Sequence, residues 1–254
     1  MRGVILAGGL GTRLYPCTEV VNKHLLPVAG QPMIFWPLRS MQAAGIEDVL
    51  VVVGGKSTSD ILKLLGDGHR LGLRLLYAFQ ETEGGIADAL HLAEPFAAGQ
   101  DICVVLGDNV LEDQLTPYRK RFEQQGKGAR VLLKAVTDPE NYGCPKFVWS
   151  NPEHTRARIV EIAEKPARDT GYEPLAVIGV YFYDKTVFTR IRELTPSARG
   201  ELEITDLNNN YAREGVLGFS LLQGWWGDAG ASFESLEKVS RWLRMTAKGA
   251  EAAK

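Results

Sequence analysis

The chain has 254 residues, of which 45% are hydrophobic and 24% are charged. These proportions are average for a globular protein, which excludes collagen, coiled-coil and wholly disordered chains. The 29 Lys and Arg residues against 31 Asp and Glu residues give a formal charge of −2, so the sequence lacks the basic excess on which non-specific nucleic-acid binding depends.

Short β-rich segments alternate with helical patterns through the first half of the chain. This alternation predicts βαβ units around a mostly parallel sheet. In chain order, we predict strands over residues 4–6, 49–53, 73–79, 102–106 and 130–136. The helices between them are predicted from Pro32 to a stop at Gly45, after an N-cap at Ser59, over residues 86–93 and over residues 115–125.

The second half contains further strand candidates near Phe147 and Ile159 and over residues 176–183, with helices near Lys185 and Thr205. We predict that this part forms an antiparallel extension on the same sheet. No linker composition or internal repeat separates the two halves, which favours one domain. Its parts are predicted as a first half over residues 1–136, a second half over 137–231, and a C-terminal helix and tail over 232–254.

A Gly-rich loop follows the first predicted strand, with the sequence Leu-Ala-Gly-Gly-Leu-Gly-Thr-Arg-Leu over residues 6–14. Such a loop exposes backbone N–H groups that can hold phosphate oxygens. It is not a Rossmann fingerprint, because Leu14 stands in place of the third glycine. A P-loop is excluded too, because Leu50 stands where the first glycine before Gly55-Lys56-Ser57 is required. Arg13 adds a fixed cation suited to a polyphosphate, and a plain Gly-rich turn is the structural alternative.

Charged residues that could act with this loop occur later in the chain. Lys23 lies in an otherwise apolar stretch, where a solvated lysine is the alternative. Asp108 follows the strand predicted over residues 102–106, and Asp228 lies in a second Gly-flanked segment. Because open α/β sheets bind ligands at the carboxyl ends of their strands, these two carboxylates could hold Mg²⁺ together with substrate phosphates. A structural turn is the alternative for Asp108.

Two further charged segments are candidates for the second substrate. Glu164 and Lys165 end a predicted strand before Pro166, and could contact sugar hydroxyls and a phosphate, respectively. Their structural alternative is surface charge before a proline turn. Arg199 lies beside acidic residues, where charge patterning at a helix start is the alternative.

Six motifs occur together in one order: the loop over residues 6–14, Lys-His-Leu-Leu-Pro-Val from residue 23, Leu-Gly-Asp-Asn from 106, Glu-Lys-Pro from 164, Gly-Val-Tyr-Phe-Tyr-Asp from 179 and Gly-Glu-Leu-Glu-Ile-Thr-Asp from 200. From Gly3 to Leu236 the chain closely resembles the glucose-1-phosphate thymidylyltransferases, which are sugar-nucleotide pyrophosphorylases. The resemblance implies a Rossmann-like nucleotidyltransferase fold with a mixed, mostly parallel sheet flanked by helices. It also implies Mg²⁺ as cofactor and the reaction of dTTP with α-D-glucose 1-phosphate to give dTDP-glucose and pyrophosphate.

The resemblance assigns roles by matching motifs. The implied nucleotide-binding residues are Leu6, Gly8, Gly9, Gly11, Thr12, Arg13, Gln80, Gly85 and Asp108, with Gln80 and Gly85 in the base-reading segment. The implied sugar-phosphate contacts are Asn109, Gly143, Glu164, Lys165, Val177 and Arg199. The implied catalytic residues are Arg13, Lys23, Asp108, Lys165 and Asp228, and Asp108 and Asp228 are the implied metal ligands.

The sequence departs from the family pattern at a few positions. Lys146 stands where the family commonly has Glu, and Ala229 and Ala231 replace two threonines beside Asp228. The resemblance therefore defines the type of reaction better than it defines the identity of the sugar. The chain also resembles a short form, without the helical tail of longer members, so the resemblance does not imply feedback control through that region.

Three alternatives stay open on the sequence. UTP could replace dTTP, because both bases present the same Watson–Crick edge. A non-catalytic nucleotide-sugar sensor is disfavoured by the presence of all five implied catalytic residues. A glycosyltransferase of similar fold would normally carry an Asp-x-Asp metal motif, which the segment around Asp108 lacks.

The sequence also predicts where the protein acts. Its longest apolar runs, such as residues 49–53, are much shorter than the roughly 18 residues that span a bilayer, so no membrane partner is expected. No signal peptide precedes the first strand, which predicts a cytoplasmic protein. The spacing of Cys17, Cys103 and Cys144 predicts reduced thiols. The expected partners are the small-molecule substrates and, from the resemblance, further copies of the chain.

Overall fold

A computed structural model describes residues 1–149, 157–168 and 170–252, with side chains through residue 246. The strands are β1 (Arg2–Ala7), β2 (Pro27–Val28), β3 (Gln31–Pro32), β4 (Asp48–Gly54), β5 (Arg74–Gln80), β6 (Ile102–Leu106), β7 (Asn109–Leu111), β8 (Ala129–Ala135), β9 (Gly143–Trp149), β10 (Ala157–Glu164), β11 (Leu175–Tyr183), β12 (Leu217–Leu221) and β13 (Trp226–Asp228). The helices are α1 (Phe35–Ala43), α2 (Thr58–Leu65), α3 (Ile86–His91), α4 (Glu94–Ala97), α5 (Thr116–Gln125), α6 (Val187–Arg192), α7 (Ile204–Arg213) and α8 (Phe233–Ala252).

The central sheet has seven strands in the order β12-β8-β11-β6-β1-β4-β5. Neighbouring strands are parallel throughout except for β11, which is antiparallel to both β6 and β8. The predicted mixed, mostly parallel sheet with flanking helices is therefore confirmed. Both halves of the chain contribute strands to this one sheet.

Each face of the sheet is covered by helices, because alternate residues of each strand point to opposite faces. In β1, Val4 and Leu6 pack on one face with residues of α3, α6 and α7, whereas Ile5 and Ala7 pack on the other with residues of α1, α2 and α5. A smaller cluster, which includes Val110, Ala229 and residues of α8, seals the end of the sheet beside β7 and β13.

The antiparallel part differs from the prediction in one respect. Strands β9 and β10 pair only with each other, as a separate two-stranded sheet, while β11 lies inside the main sheet. The reason is burial, since six successive residues of β11, from Ile178 to Tyr183, are buried. Such a strand requires cover on both faces and partners on both edges. In contrast, β9 and β10 each expose several residues, and β10 packs against α7.

The first two helices begin at residues other than those predicted. Helix α1 begins at Phe35, because Pro32 is held in the hairpin of β2 and β3. Helix α2 begins at Thr58, one residue before the expected cap Ser59. Within the described ranges, no helix combines the length and apolar character that crossing a bilayer requires.

Candidate active site

A cavity of about 260 Å³ opens where β1, β5 and β6 end at the same edge of the sheet. Parallel strands present their carboxyl ends together, and the loops that follow them form the usual ligand crevice of such sheets. Of the residues predicted to bind nucleotide, the cavity is lined by Leu6, Gly8, Gly9, Gln80, Gly85 and Asp108. Lys23 lines it as well.

The Gly-rich loop over residues 8–11 needs its glycines because it lies against other parts of the chain. A Cβ at Gly8 would lie 2.8 Å from Oε1 of Gln80. Gly11 has a φ of +67°, and a Cβ there would lie 3.0 Å from Cβ of Lys23. The following turn, Thr12–Leu14, buries Leu14 and leaves Arg13 exposed. Leu14 is therefore a core residue, which explains why no glycine stands there.

Lys23 and Asp108 form a mostly buried ion pair. The Lys23 Nζ atom lies 2.5 Å from Oδ2 of Asp108, and the two side chains are 16% and 9% exposed. Burial raises the pKa of the Asp108 carboxyl, but the Lys23 ammonium beside it outweighs this effect and holds that pKa well below its usual range. Burial by itself lowers the pKa of the Lys23 ammonium, but the charges of Asp108 and Asp228 act against it, and the net result is a raised pKa.

Asp228 reaches the same place through strand pairing. Strands β7 and β13 are antiparallel, with Asp228 opposite Asn109, and the Ala229 N–H donates to the Asp108 carbonyl at 2.9 Å. A Cβ at Gly230 would lie 2.5 Å from Oδ2 of Asp108, so only glycine fits there. Burial and the charge of Asp108 raise the pKa of the Asp228 carboxyl. The structure thus brings together the two acidic residues that the sequence analysis selected.

This pair of carboxylates has the chemistry of a partial divalent-cation site. In the described part of the chain, no group of three or more His, Cys, Asp or Glu residues could hold a metal alone. Two carboxylates are nevertheless sufficient for Mg²⁺, which usually takes its remaining ligands from waters and substrate phosphates. Burial, and then the charge of Asp108, raise the pKa of Asp228, and a bound cation would offset both effects. The donor set therefore fits such an ion.

Asn109 connects this acidic pair to the core. Its Nδ2 donates to Oδ1 of Asp108 at 3.0 Å. Its Oδ1 accepts from the backbone N–H of Gly179 and from Nε1 of Trp226, at 3.1 and 2.7 Å. Because these bonds join β7 to β11 and β13, the Asn109 amide fixes the orientation of Asp108.

The other residues predicted on the sugar side lie around β9 and β10. Gly143 pairs with Glu164 across these two strands, and Thr205 Oγ1 donates to Oε2 of Glu164 at 3.1 Å. A Cβ at Gly143 would lie 3.4 Å from that same oxygen. Lys165 has a φ of +48°, and its N–H donates to the carbonyl of Tyr142. Val177 lies in β11 opposite Leu133, just before the register shift of that strand.

Arg199 is exposed and already has acidic partners. Its guanidinium donates to both carboxylate oxygens of Glu203 at 2.9 Å and lies 3.5 Å from Glu201, which lines the cavity. These contacts raise the pKa of Arg199. Lys146, where the sequence departs from the family, lies three residues after Gly143 in β9, on the opposite face of the strand. Its side chain lies over the ring of Tyr172. Its side chain therefore points away from the Gly143 face.

Sequence reasoning missed several residues of this site. Asn22 and His24 flank Lys23, and both are buried. Asn22 Nδ2 donates to the carbonyls of Ala7 and Gly54, both at 3.3 Å, which fastens the Lys23 turn to the ends of β1 and β4. Its Oδ1 accepts from the backbone N–H of His24 and lies 2.7 Å from the Nδ1 atom of that ring. Asparagine is a common N-cap residue, so Asn22 before Lys23 could have been recognised in the sequence as the cap of the turn over residues 23–25.

Two acidic residues were missed as well: Glu83 lines the cavity, and Asp88 contacts Gln80, which lines it. Glu83 accepts a hydrogen bond from the Leu10 N–H, within the Gly-rich loop, at 3.2 Å. Asp88 accepts from the amide of Gln80 at 2.8 Å. Their spacing from the loop in the chain offers no signal for these contacts, which depend on how β5 and α3 pack.

The comparisons with known proteins agree on one family. The family model described as nucleotidyl transferase matches residues 2–244. A glucose-1-phosphate thymidylyltransferase of Neisseria meningitidis is 41% identical over 247 residues, which cover 96% of this chain and 83% of that protein. One of Actinoplanes sp. is 41% identical over 94% of this chain and 77% of that protein.

A solved structure gives the same result. It is a Bacillus anthracis protein in complex with sucrose, assigned as a glucose-1-phosphate thymidylyltransferase. It is 43% identical to this chain, superposes with a TM-score of 0.87, and the match covers 96% of this chain and 95% of that one. The similarity thus extends to the whole fold.

Proposed function

This chain belongs to the nucleotidyl transferase family, and from that premise we propose that it transfers a thymidylyl group from dTTP to α-D-glucose 1-phosphate, releasing pyrophosphate. The observation that carries the proposal is the convergence of Asp108, Asp228 and Lys23 beside the Gly-rich loop. The thymidylyltransferase names of relatives about 41% identical over most of the chain support dTTP and glucose 1-phosphate as the substrates.

The loop and its neighbours would bind the triphosphate. Backbone N–H groups of residues 8–11 would bind phosphate oxygens, that of Leu10 after it leaves Glu83. Lys23 lines the same cavity, and Arg13 is exposed in the turn that follows the loop, so two cations are available to the phosphates. The apolar wall of the cavity, formed by Leu6, Ile86, Ala89 and Leu106, suits a nucleobase. Gln80 and Gly85 at the same wall would contact its polar edge.

The glucose 1-phosphate would lie on the side of β9 and β10. Glu164 is exposed beside Gly143 and could accept hydrogen bonds from sugar hydroxyls. Asn109 donates to Asp108, and Val177 lies in β11, which packs against β9. Lys165 and Arg199 are the cations available for the sugar phosphate. Arg199 would exchange its contacts with Glu203 for that phosphate.

The reaction is an in-line displacement, in which a phosphate oxygen of glucose 1-phosphate attacks the α-phosphorus of dTTP and the bond to pyrophosphate breaks. No nucleophilic side chain is needed, because such transfers depend on positioning and charge neutralisation. Arg13 and Lys23 stabilise the charge that develops on the transferred group and on the leaving pyrophosphate. Asp108 and Asp228 would hold a Mg²⁺ ion, which when bound neutralises phosphate charge and orients the triphosphate.

Pyrophosphate release tests this proposal directly. The protein is incubated with glucose 1-phosphate and each of dTTP, UTP, dCTP, GTP and ATP, with Mg²⁺ or with EDTA. We expect the highest kcat/KM with dTTP and no turnover in EDTA. Faster turnover with UTP would overturn the choice of base and leave the reaction class intact, whereas no release with any nucleotide would overturn the reaction itself.

A further inference from the structure

The side-chain amide of Gln80 is held in one orientation at the wall of the cavity. Its Nε2 atom donates to Oδ2 of Asp88 at 2.8 Å and to the carbonyl of Gly85 at 3.3 Å. A carboxylate and a backbone carbonyl accept hydrogen bonds but cannot donate them. Only the amide nitrogen can therefore face these two groups, and the amide oxygen must point the other way.

The amide oxygen is directed toward the Gly-rich loop. A Cβ at Gly8 would lie 2.8 Å from Oε1 of Gln80, so the absence of a side chain at Gly8 leaves this oxygen open to the cavity that both residues line. The wall thus presents a hydrogen-bond acceptor, next to the apolar surface of Ile86 and Ala89.

Asp88 is itself fixed by packing. It lies in the first turn of α3, and a Cβ at Gly84 would come within 2.5 Å of its carboxylate carbon. The backbone of Gly84 is thus in close contact with the Asp88 side chain. Gly84 is in turn held by Leu202, whose N–H donates to the Gly84 carbonyl at 2.7 Å. The carboxylate therefore has a defined position from which to hold the Gln80 nitrogen.

We propose that Asp88 is a specificity-determining positioning residue, which makes this site select pyrimidines that carry an N–H at ring position 3 over cytosine. Thymine and uracil donate a hydrogen bond from that position to the Gln80 oxygen. Cytosine has an unprotonated nitrogen there, so two acceptors would face each other without a proton between them. This inference rests on the proposed function only in taking the base to bind at this wall.

The Asp88→Asn variant tests the inference. An asparagine can donate to the Gln80 oxygen, so the Gln80 amide is no longer confined to one orientation and can present its nitrogen to the base. We expect the ratio of kcat/KM for dTTP to that for dCTP to fall by about tenfold or more, which is the effect of one mismatched polar contact in a desolvated site. Thermal unfolding followed by circular dichroism shows whether the variant folds.

Glu81→Gln is the matched control, because it removes the same charge from an exposed position in the adjacent segment. We expect it to keep the wild-type discrimination ratio. An unchanged ratio in folded Asp88→Asn, or an equal fall in Glu81→Gln, would overturn the inference.

Binding of dTMP and dCMP, measured by isothermal titration calorimetry, separates this inference from the proposed function. If the wild-type protein releases no pyrophosphate but prefers dTMP, and Asp88→Asn loses that preference, the inference about Asp88 survives the failure of the proposed reaction. Equal affinity of the wild-type protein for dTMP and dCMP would overturn it.

Discussion

The ammonium nitrogen of Lys23 lies 2.5 Å from a carboxylate oxygen of Asp108, although the two residues are 85 positions apart in the chain. Asp228 is close enough to shift the pKa of Lys23 upward. One cation thus partly balances two carboxylates in a site that is mostly shielded from water. Such an arrangement gives a fixed distribution of charge for phosphate chemistry, and it makes the site sensitive to the loss of any one member.

Asp108→Asn should reduce turnover in a protein that still folds, because Lys23 keeps the charge of Asp228 beside it. We expect kcat for pyrophosphate release to fall by about a hundredfold or more, the usual order for removing one electrostatic contact to a transition state. Steady-state kinetics measure this, and thermal unfolding reports on the fold. Asp60→Asn, at an exposed position in α2, is the control. A near-normal kcat in Asp108→Asn would contradict the proposed role of this carboxylate.

Lys23→Met should destabilise the protein, because it leaves two carboxylates together without their cation. Breaking a buried ion pair on one side costs about 3–5 kcal/mol. The double variant Lys23→Met/Asp108→Asn should lose less than the single Lys23→Met variant, since the unpaired charge of Asp108 is removed as well. Urea unfolding of the variants gives these free energies, measured in EDTA. Additive losses in the double variant would show that the two side chains are not coupled.

Asn22→Ala should destabilise the turn that carries Lys23. The substitution removes the amide that donates to the carbonyls of Ala7 and Gly54 and accepts from the His24 backbone. Each buried polar group left without a partner costs about 1–3 kcal/mol. We therefore expect a loss of at least about 2 kcal/mol by urea unfolding, with a lower kcat. Asn141→Ala removes an exposed amide that donates to Asp138; it is the control and should change stability little.

Glu83→Gln should improve nucleotide binding. In the structure, the Glu83 carboxylate accepts a hydrogen bond from the Leu10 N–H, a group that the incoming triphosphate could use. A neutral side chain competes less for this donor and does not repel the phosphates, so the KM for dTTP should fall roughly two- to fivefold with little change in kcat, as expected of an exposed charged contact. Glu81→Gln shows how much of any effect comes from net charge alone. A higher KM in Glu83→Gln would mean that this carboxylate assists binding.

His24 should make stability depend on pH in the acidic range. Burial, and then the charge of Lys23, lower the pKa of this histidine from 6.5 to about 3. Between these two values the unfolded chain binds a proton that the folded protein does not, so the free energy of unfolding falls as the pH falls. This contribution becomes constant about one pH unit above 6.5, where the unfolded histidine is also neutral.

Between about pH 7.5 and pH 5 the wild-type protein should lose about 2 kcal/mol more than His24→Gln, measured by urea unfolding in EDTA. His69→Gln, at an exposed position, should retain the wild-type pH dependence. If the free energy of unfolding had the same pH dependence in the wild-type protein and in His24→Gln, the pKa of His24 would not be lowered by folding.

The local patterns of the sequence determined most of the fold. Periods of two and 3.6 residues depend only on near neighbours in the chain, so the segments that became β1, β4, β5, β6 and β8 could be predicted in the correct order. The Gly-rich loop was evident for the same reason, because a run of glycines after a strand constrains the backbone wherever it lies. Shared motifs then identified the family.

Only the tertiary structure decided which distant residues meet. The pairing of β7 with β13 brings Asp228 beside Asp108, yet each strand has three residues, which is too short for a detectable pattern. The insertion of β11 between β6 and β8 and the orientation of the Gln80 amide also depend on contacts between distant parts of the chain. Register, burial and hydrogen-bond partners of this kind are set by packing, which no short segment encodes by itself.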